Sequence, residues 1–462
     1  MQWIQPSSIL VAYGIAILAC HGRQFDPLSY APNEVIDVDV AIIGGGATGS
    51  YAAITLADLN WRVAVVEATG ILGGQANTYI DPATNIPIDY GVQRYGKTTG
   101  TLAFFKRLGV TYTDHVSSAA NTMVYTDFTT GQPLQQFSPS ANFSGYLQQL
   151  RKYPYLLYTT NIPDPIPADF ALAFADFIRK YNLQDVAFEI AAGFGPSLLN
   201  TPVLNVITET GLEELSLDAT NTVDIEGGNS QIYMNALAKI GSSHVLFNST
   251  ISAAQREGSS SIRFVVDTPT GNRLIQAKRA LVTVPTTLTN MAPFDLDARE
   301  RDIFSRFWGP GLWVGLVTVS GLPAGTRYTN VGTNTSYHIP TLPAVTVLTP
   351  TAVSGIYRFE YWDNDLSLSI AEANARSLAI IRRFAKQVAP YAHGQPEMVA
   401  FNSHAPFKVG LTEEAIAQNY WNKMYALQGH RNTWYTGVQF LPGSSQLWNY
   451  TATMIPDIVA GL

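Results

Sequence analysis

The spacing Gly44-x-Gly46-x-x-Gly49, with Glu67 further on, is the pattern in this chain most plainly suited to holding a ligand. The first glycine permits a sharp turn, the second lets backbone approach a pyrophosphate, and the third lets a helix pack close to a sheet. Phosphates then rest on the free amides of the helix that opens at Ala47. Glu67 stands about 20 residues on, where an acidic side chain accepts hydrogen bonds from ribose hydroxyls. Glycine turns are common, so the context decides. An apolar, β-branched strand at 37–43 precedes the turn, a helix at 50–60 follows, and a second strand at 62–67 ends on Glu67. The unit is β-turn-α-β, and it predicts dinucleotide binding.

Two further residues could move protons. His404, in Asn402-Ser403-His404-Ala405-Pro406, is a candidate base, because histidine titrates near neutrality. A structural histidine with satisfied hydrogen bonds is the plainer reading. Glu360 lies in the aromatic strand around Tyr357 and Trp362. Alternation puts Arg358 on the same face, so an ion pair competes with a catalytic role. Aromatic residues gather in the second half at Trp313, Tyr361, Trp448 and Tyr450, and Tyr95 follows the Gly91 segment. They read either as core or as a flat apolar substrate pocket. The sequence shows no His/Cys/Asp spacing that suits a metal and no serine-hydrolase elbow.

The elements that position these residues need a large chain. The sequence has 462 residues, 46% hydrophobic and 14% charged, enough for two interleaved domains. Net charge is −7, and without a Lys/Arg run a nucleic-acid partner has no electrostatic footing. Helices are expected at 166–192 and 231–240, and strands at 245–247, 280–284, 312–319 and 355–361. The apolar run at 9–19 is too short to span a bilayer and reads as the centre of a signal peptide ending at 22, or else as an uncleaved anchor. Cleavage would remove Cys20, the single cysteine, leaving no disulfide and no membrane span. Sequons at Asn142, Asn248, Asn334 and Asn449 fit a glycoprotein of the secretory route.

Several motifs in order resemble the flavin-containing amine oxidase superfamily. They are the Gly44 turn, Gly73-Gly74-Gln75, Ile88-Asp89-Tyr90-Gly91, Glu226-Gly227-Gly228-Asn229, Ala280-Leu281-Val282-Thr283-Val284-Pro285 and Trp434-Tyr435-Thr436-Gly437. Longer stretches, Gly91-Val92-Gln93-Arg94-Tyr95, the segment 174–181, Ser403-His404-Ala405-Pro406 and Tyr425-Ala426-Leu427-Gln428-Gly429, resemble the fungal beta-cyclopiazonate dehydrogenase-like enzymes. The resemblance implies FAD held by Gly44, Gly46, Ala47, Gly49, Glu67, Gly73, Gly74, Gln75, Gly91, Gly437 and the backbone of Ile251. It implies an α/β fold. A discontinuous Rossmann-like domain would comprise 36–115, 225–292 and 396–462, with a substrate domain of mixed sheet and helices at 116–224 and 293–395. The implied activity is oxidation of a carbon centre in an apolar, aromatic secondary metabolite, with ring closure in one relative, and oxygen or another acceptor reoxidising the flavin. A redox-neutral isomerase, an ordinary amine oxidase and a non-catalytic flavin-binding protein are the alternatives. Two departures stand out. Gly315 aligns with the lysine that amine oxidases place near the flavin, and Val438 replaces an acidic residue after the C-terminal glycine, leaving backbone or Gln439 to hold the cofactor there.

Overall fold

The computed structural model describes residues 24–116, 122–216, 221–257, 261–391 and 393–462. The apolar run at 9–19, the cleavage point at 22 and Cys20 lie outside them. Among the described residues no helix is long and apolar enough to cross a membrane.

Strand Val35–Ile43 is buried over 38–43, as its unbroken β-branched run requires of a strand covered on both faces. It runs parallel to Val63–Val66 on one side and to Gly271–Val282 on the other. Ile43 pairs with Val66 and with Val282, so three strand ends finish level. Val245–Leu246 extends one flank, and the antiparallel strands Ile262–Thr268 and Thr250–Gln255 extend the other. The last strand, Thr433–Tyr435, pairs with the final residues of Gly271–Val282. The expected strand at 280–284 is thus the end of a twelve-residue one.

Helix Ala47–Asp58 crosses this sheet with Ala52, Ala53, Ile54 and Leu56 buried. The C-terminal helix Ser444–Val459 packs on it. There Trp448, expected in a substrate pocket, is core. Its indole lies among Tyr51, Tyr95, Phe104 and Phe105, and its Nε1 donates to the Ala47 carbonyl at 3.1 Å. Tyr95 is corrected likewise: it stacks on Trp448 and its hydroxyl meets that of Tyr233. Tyr450 packs against Phe440 and Tyr425. Trp448 and Tyr450 lie on the C-terminal helix, and Tyr95 lies on the short strand Tyr95–Gly96.

The second sheet runs in the order Glu397–Ser403, Gly311–Thr318, Ile356–Asp363, Ala344–Pro350, Thr326–Asn330, Thr122–Thr126. The domain boundary at 396 is therefore corrected, because Glu397–Ser403 bonds along Gly311–Thr318. Helix Ile370–Val388, opened by a capping box of Ser369 with Glu372, covers one face. Trp313 and Tyr361 point to that covered face and join Phe359 and Phe384 in its core. Their pocket assignment fails by one residue of alternation, since neighbours on a strand face opposite ways. The long helix expected at 166–192 is two, Phe174–Tyr181 and Ala187–Phe194. Asn182 adopts φ 54° and its amide bonds Ile178, which closes the first helix with a left-handed cap.

A buried ion network ties the late segments to the first sheet. Arg256 follows strand Thr250–Gln255 and is fully buried, bonding Glu300 at 2.7 and 2.9 Å and Asp295 at 2.9 Å. Arg431 also reaches Glu300 and Asp295, and the Tyr435 hydroxyl donates to Glu300. Removing one partner leaves a buried charge short of its counter-ion. Arg256→Met is expected to lower unfolding stability by about 3–5 kcal/mol in urea titrations, and the double variant R256M/E300M to lose less than the two single losses added.

Candidate functional site

The level strand ends create the first part of the site. The chain leaves Ile43 through Gly44 at φ +105°, a conformation that only glycine adopts freely. Gly49 then passes so close to the Gly44 carbonyl that a Cβ would lie 1.9 Å from its oxygen. That approach fixes the helix against the strand. Gly46 caps the helix without a side-chain acceptor, so the amides of the first turn are uncapped. Gly46 bridges to Gly73, and a Cβ on Gly46 would meet only the Cα of Gly74, at 3.7 Å. The result is a backbone-lined trough at the positive end of a helix, which suits a pyrophosphate.

Glu67 is buried beside it. One carboxylate oxygen accepts from the Gly45 amide at 2.8 Å, and the other accepts from the amide and hydroxyl of Thr69, both at 2.8 Å. Those bonds hold the carboxylate in place for a ribose. Ser249, whose amide bonds the Glu67 carbonyl, brings strand Thr250–Gln255 and Ile251 to the same end. Gly437 packs directly on the Thr283 backbone at the far side of the turn. Gln439 is corrected: its side chain accepts from the Thr286 amide at 2.7 Å and is engaged there.

Beyond the trough, Gly91 passes the Gln75 carbonyl, where a Cβ would lie 2.0 Å away. These two residues open onto a cleft. Gln75, Tyr90 and Gly91 form one wall, with Val438 at the end. The uncovered face of the second sheet forms the other, through Leu312, Val314, Arg358, Glu360 and Trp362. Glu360 therefore reaches the cleft, while its neighbour Tyr361 does not. Gly315 lies on the opposite face, where a Cβ would strike the Phe359 ring, so a side chain at that position would point away from the cleft.

His404 lines the cleft but is buried, and its Nε2 bonds the Asn77 side-chain oxygen at 2.8 Å. Asn77 in turn donates to the Gly74 carbonyl, which assigns the proton to His404 Nε2. Burial pushes the imidazole pKa down to about 3. His404 is thus neutral at physiological pH and links the second sheet to the trough. The expectation of a histidine titrating near neutrality is corrected by its burial.

Sequence reasoning missed Glu209 and Lys408. They come from a helix end and a loop, close at 3.9 Å, and both line the cleft. Burial pushes the Glu209 carboxyl up to about 7 and the Lys408 ammonium downward. Lys408 also donates to the Gly193 carbonyl at 2.7 Å. Only tertiary folding joins these segments, and neither carries a local motif. Asp297, Glu300 and His430 do lie within ligand reach of one another, a grouping that spacing did not suggest. Arg256 and Arg431 already occupy the Glu300 oxygens, and His430 bonds Asp297.

The family model for an NAD(P)-binding Rossmann-like domain matches residues 42–108, the span that holds the trough. The FAD-dependent oxidoreductase pigF of Monascus ruber is 36% identical, covering 98% of each chain. The chain belongs to the FAD-dependent oxidoreductases. Beta-cyclopiazonate dehydrogenase of Aspergillus oryzae is 30% identical to this oxidoreductase over 92% of its chain and 94% of the relative. Among solved structures, the CLA-producing fatty acid isomerase from P. acnes superposes with a TM-score of 0.69 at 16% identity, covering 93% of this chain and 100% of that one. The cyclohexylamine oxidase from Brevibacterium oxydans superposes at 0.61 and 17% identity, covering 91% and 99%. The fold is therefore amine-oxidase-like α/β, and FAD is the cofactor that the glycine trough and Glu67 accommodate.

Gly46→Ala is expected to keep the fold, since the protein itself has room there, while lowering FAD affinity about tenfold or more in reconstitution titrations. Gly49→Ala should instead destabilise the apoprotein by about 3 kcal/mol, because backbone must move. His404 gives a pH signature. Unfolded histidine takes up a proton near 6.5, whereas the folded one resists until about 3. The unfolded state binds more protons between those values, so this contribution is present above 6.5 and is lost as pH falls towards 3. H404Q should show a shallower loss of stability over that window in urea titrations at stepped pH.

Proposed function

We propose that this oxidoreductase removes a hydride from a carbon centre of an apolar, aromatic small molecule of fungal secondary metabolism, with oxygen or another acceptor taking the electrons onward. The cleft carries this reading. It has Gln75, Gly91 and Val438, on the side of the glycine trough, opposite Val314, Glu360 and Trp362. A ring system there lies between apolar side chains and is met by charged groups at its edges. The fungal sources of the related chains support the metabolic setting.

When bound, FAD supplies a two-electron acceptor for the substrate carbon. The chain's own residues do the rest. Leu312, Val314, Trp362 and Phe407 provide an apolar surface that orients the substrate and excludes water. The Glu360 carboxylate faces the cleft and takes the proton that leaves as the hydride is lost. Arg358, on the same face, balances its charge. Asn77 and His404 keep the phosphate loop and the second sheet in fixed relation.

We also infer a secretory route. The apolar run at 9–19 supports it, and so does the exposure of Asn142, Asn248, Asn334 and Asn449.

The experiment begins with metabolite profiles of a strain lacking the gene. The accumulating compound is then mixed anaerobically with the purified holoenzyme. Bleaching of the visible flavin band is expected, with recovery and oxygen uptake on aeration. E360Q should slow that bleaching by about 10²-fold or more. Product formation with the flavin finally oxidised and without an acceptor would replace oxidation by isomerisation.

A further inference from the structure

Glu209 and Lys408 line the cleft but take no part in the chemistry assigned above. Glu209 ends helix Val203–Glu209, and Lys408 lies on the loop that follows strand Glu397–Ser403. Gly193 and Phe407 belong to the same lining.

The pair is not closed on itself. Lys408 Nζ and Glu209 Oε2 are 3.9 Å apart, too far for a direct hydrogen bond. Among the described residues neither Glu209 oxygen accepts a hydrogen bond, and neither is sealed from solvent. Side-chain exposure is 14% for Glu209 and 9% for Lys408. An ammonium carries three N–H donors. Lys408 directs one at the carbonyl of Gly193, an exposed residue, at 2.7 Å. Its other donors have no hydrogen-bond acceptor among the described residues.

The gap has the width of one bridging atom. An oxygen about 2.8 Å from both Nζ and Oε2 spans 3.9 Å at roughly 90°. Such an oxygen must accept from an ammonium and donate to a carboxylate. A carbonyl or ether oxygen has no hydrogen to donate, and an ammonium has no lone pair. A carboxylate is repelled by Glu209. A hydroxyl meets both demands. The carboxyls of Glu209, Glu214 and Glu360 favour the charged form of Lys408 against its burial. The rings of Phe194 and Phe407 lie 4.8 and 5.6 Å from Nζ, so the polar pair is framed by apolar surface.

We propose that Lys408 and Glu209 form a hydroxyl-recognition site, in which Lys408 donates to, and Glu209 accepts from, one hydroxyl group of the substrate. The substrate class is thereby a hydroxylated aromatic compound. Lys408 and Glu209 share the cleft with Gln75 and Gly91, so the anchored oxygen and the reacting carbon belong to one molecule. The contact transfers no proton, and Glu360 keeps the role assigned to it. This assignment rests on the reading of the cleft as the substrate site.

The test reads binding rather than turnover. Holoenzyme is titrated at about pH 8, where the Glu209 carboxyl, at about 7, is mostly ionised. The probes are pairs of similar shape: 2-naphthol with 2-methylnaphthalene, and 2-naphthylmethanol and 2-methoxynaphthalene with 2-ethylnaphthalene. Calorimetry and the perturbation of the flavin spectrum report affinity. A hydroxylated probe should bind about tenfold or more tighter than its hydrocarbon, the equivalent of one well-made hydrogen bond. The tighter of the two, phenol or alcohol, identifies the kind of hydroxyl. The ether accepts without donating, so its advantage should be smaller and should come from Lys408 alone. E209L should therefore reduce the hydroxyl preference to that of the ether, and K408M should abolish the ether's advantage. Neither should change hydrocarbon affinity. E209Q keeps the volume and an oxygen acceptor, and should retain part of the hydroxyl preference, which separates a lost acceptor from a disturbed fold. Equal binding of hydroxylated and hydrocarbon probes, failure of all to bind, an ether as tight as the hydroxyl, or variants that shift every probe alike would overturn the site. Failure of every metabolite to bleach the flavin would defeat the oxidase reading instead, and the hydroxyl preference would still be read separately.

Discussion

The contact between Gly49 and the Gly44 carbonyl sets the geometry on which the rest depends. Because no Cβ fits there, helix Ala47–Asp58 sits close enough to the strand end for its first turn to face the Gly73-Gly74 loop. The Ser50 hydroxyl, whose oxygen could otherwise close that turn, donates to the Gly45 carbonyl. Helix amides thereby remain directed at a ligand and not at the protein's own side chains. Glu67, bonded to Gly45, adds the opposite electrostatic character at one edge of the same turn.

The second sheet divides labour by its pleat. Trp313, Phe359 and Tyr361 turn under helix Ile370–Val388 and hold the sheet in the protein. Val314, Arg358, Glu360 and Trp362 turn the other way and line the cleft. One strand, Ile356–Asp363, therefore turns Tyr357, Phe359 and Tyr361 into the core and Arg358, Glu360 and Trp362 to the cleft. A large apolar core is thus compatible with a charged site one side chain away.

This division explains what was legible beforehand. The glycine turn, its strand and helix, and Glu67 are local in sequence, so spacing alone located them. Two of the second sheet's six strands, at 312–319 and 355–361, were also visible as apolar runs. Their facing was not, because an aromatic residue satisfies a core and a pocket equally well. Trp448 and Tyr95 were misplaced for that reason. His404 was found, but its burial was not, since Asn77 lies 327 positions away. Glu209 and Lys408 left no trace, because each is ordinary until the fold brings them together. The division of helix 166–192 turned on Asn182, whose left-handed conformation is permitted but not dictated by its identity.

Strand Gly271–Val282 contacts Val35–Ile43, Ile262–Thr268 and Thr433–Tyr435, drawing together segments from both ends of the chain. During synthesis the first turn and its helix leave the ribosome long before their sheet neighbours exist. The central neighbour arrives only after Val282, and the final one after Tyr435. Until then the apolar faces of the first β-turn-α-β unit lack their cover, leaving them open to aggregation and in need of shielding by chaperones. The sheet beneath the glycine turn is accordingly complete only once Thr433–Tyr435 has been made.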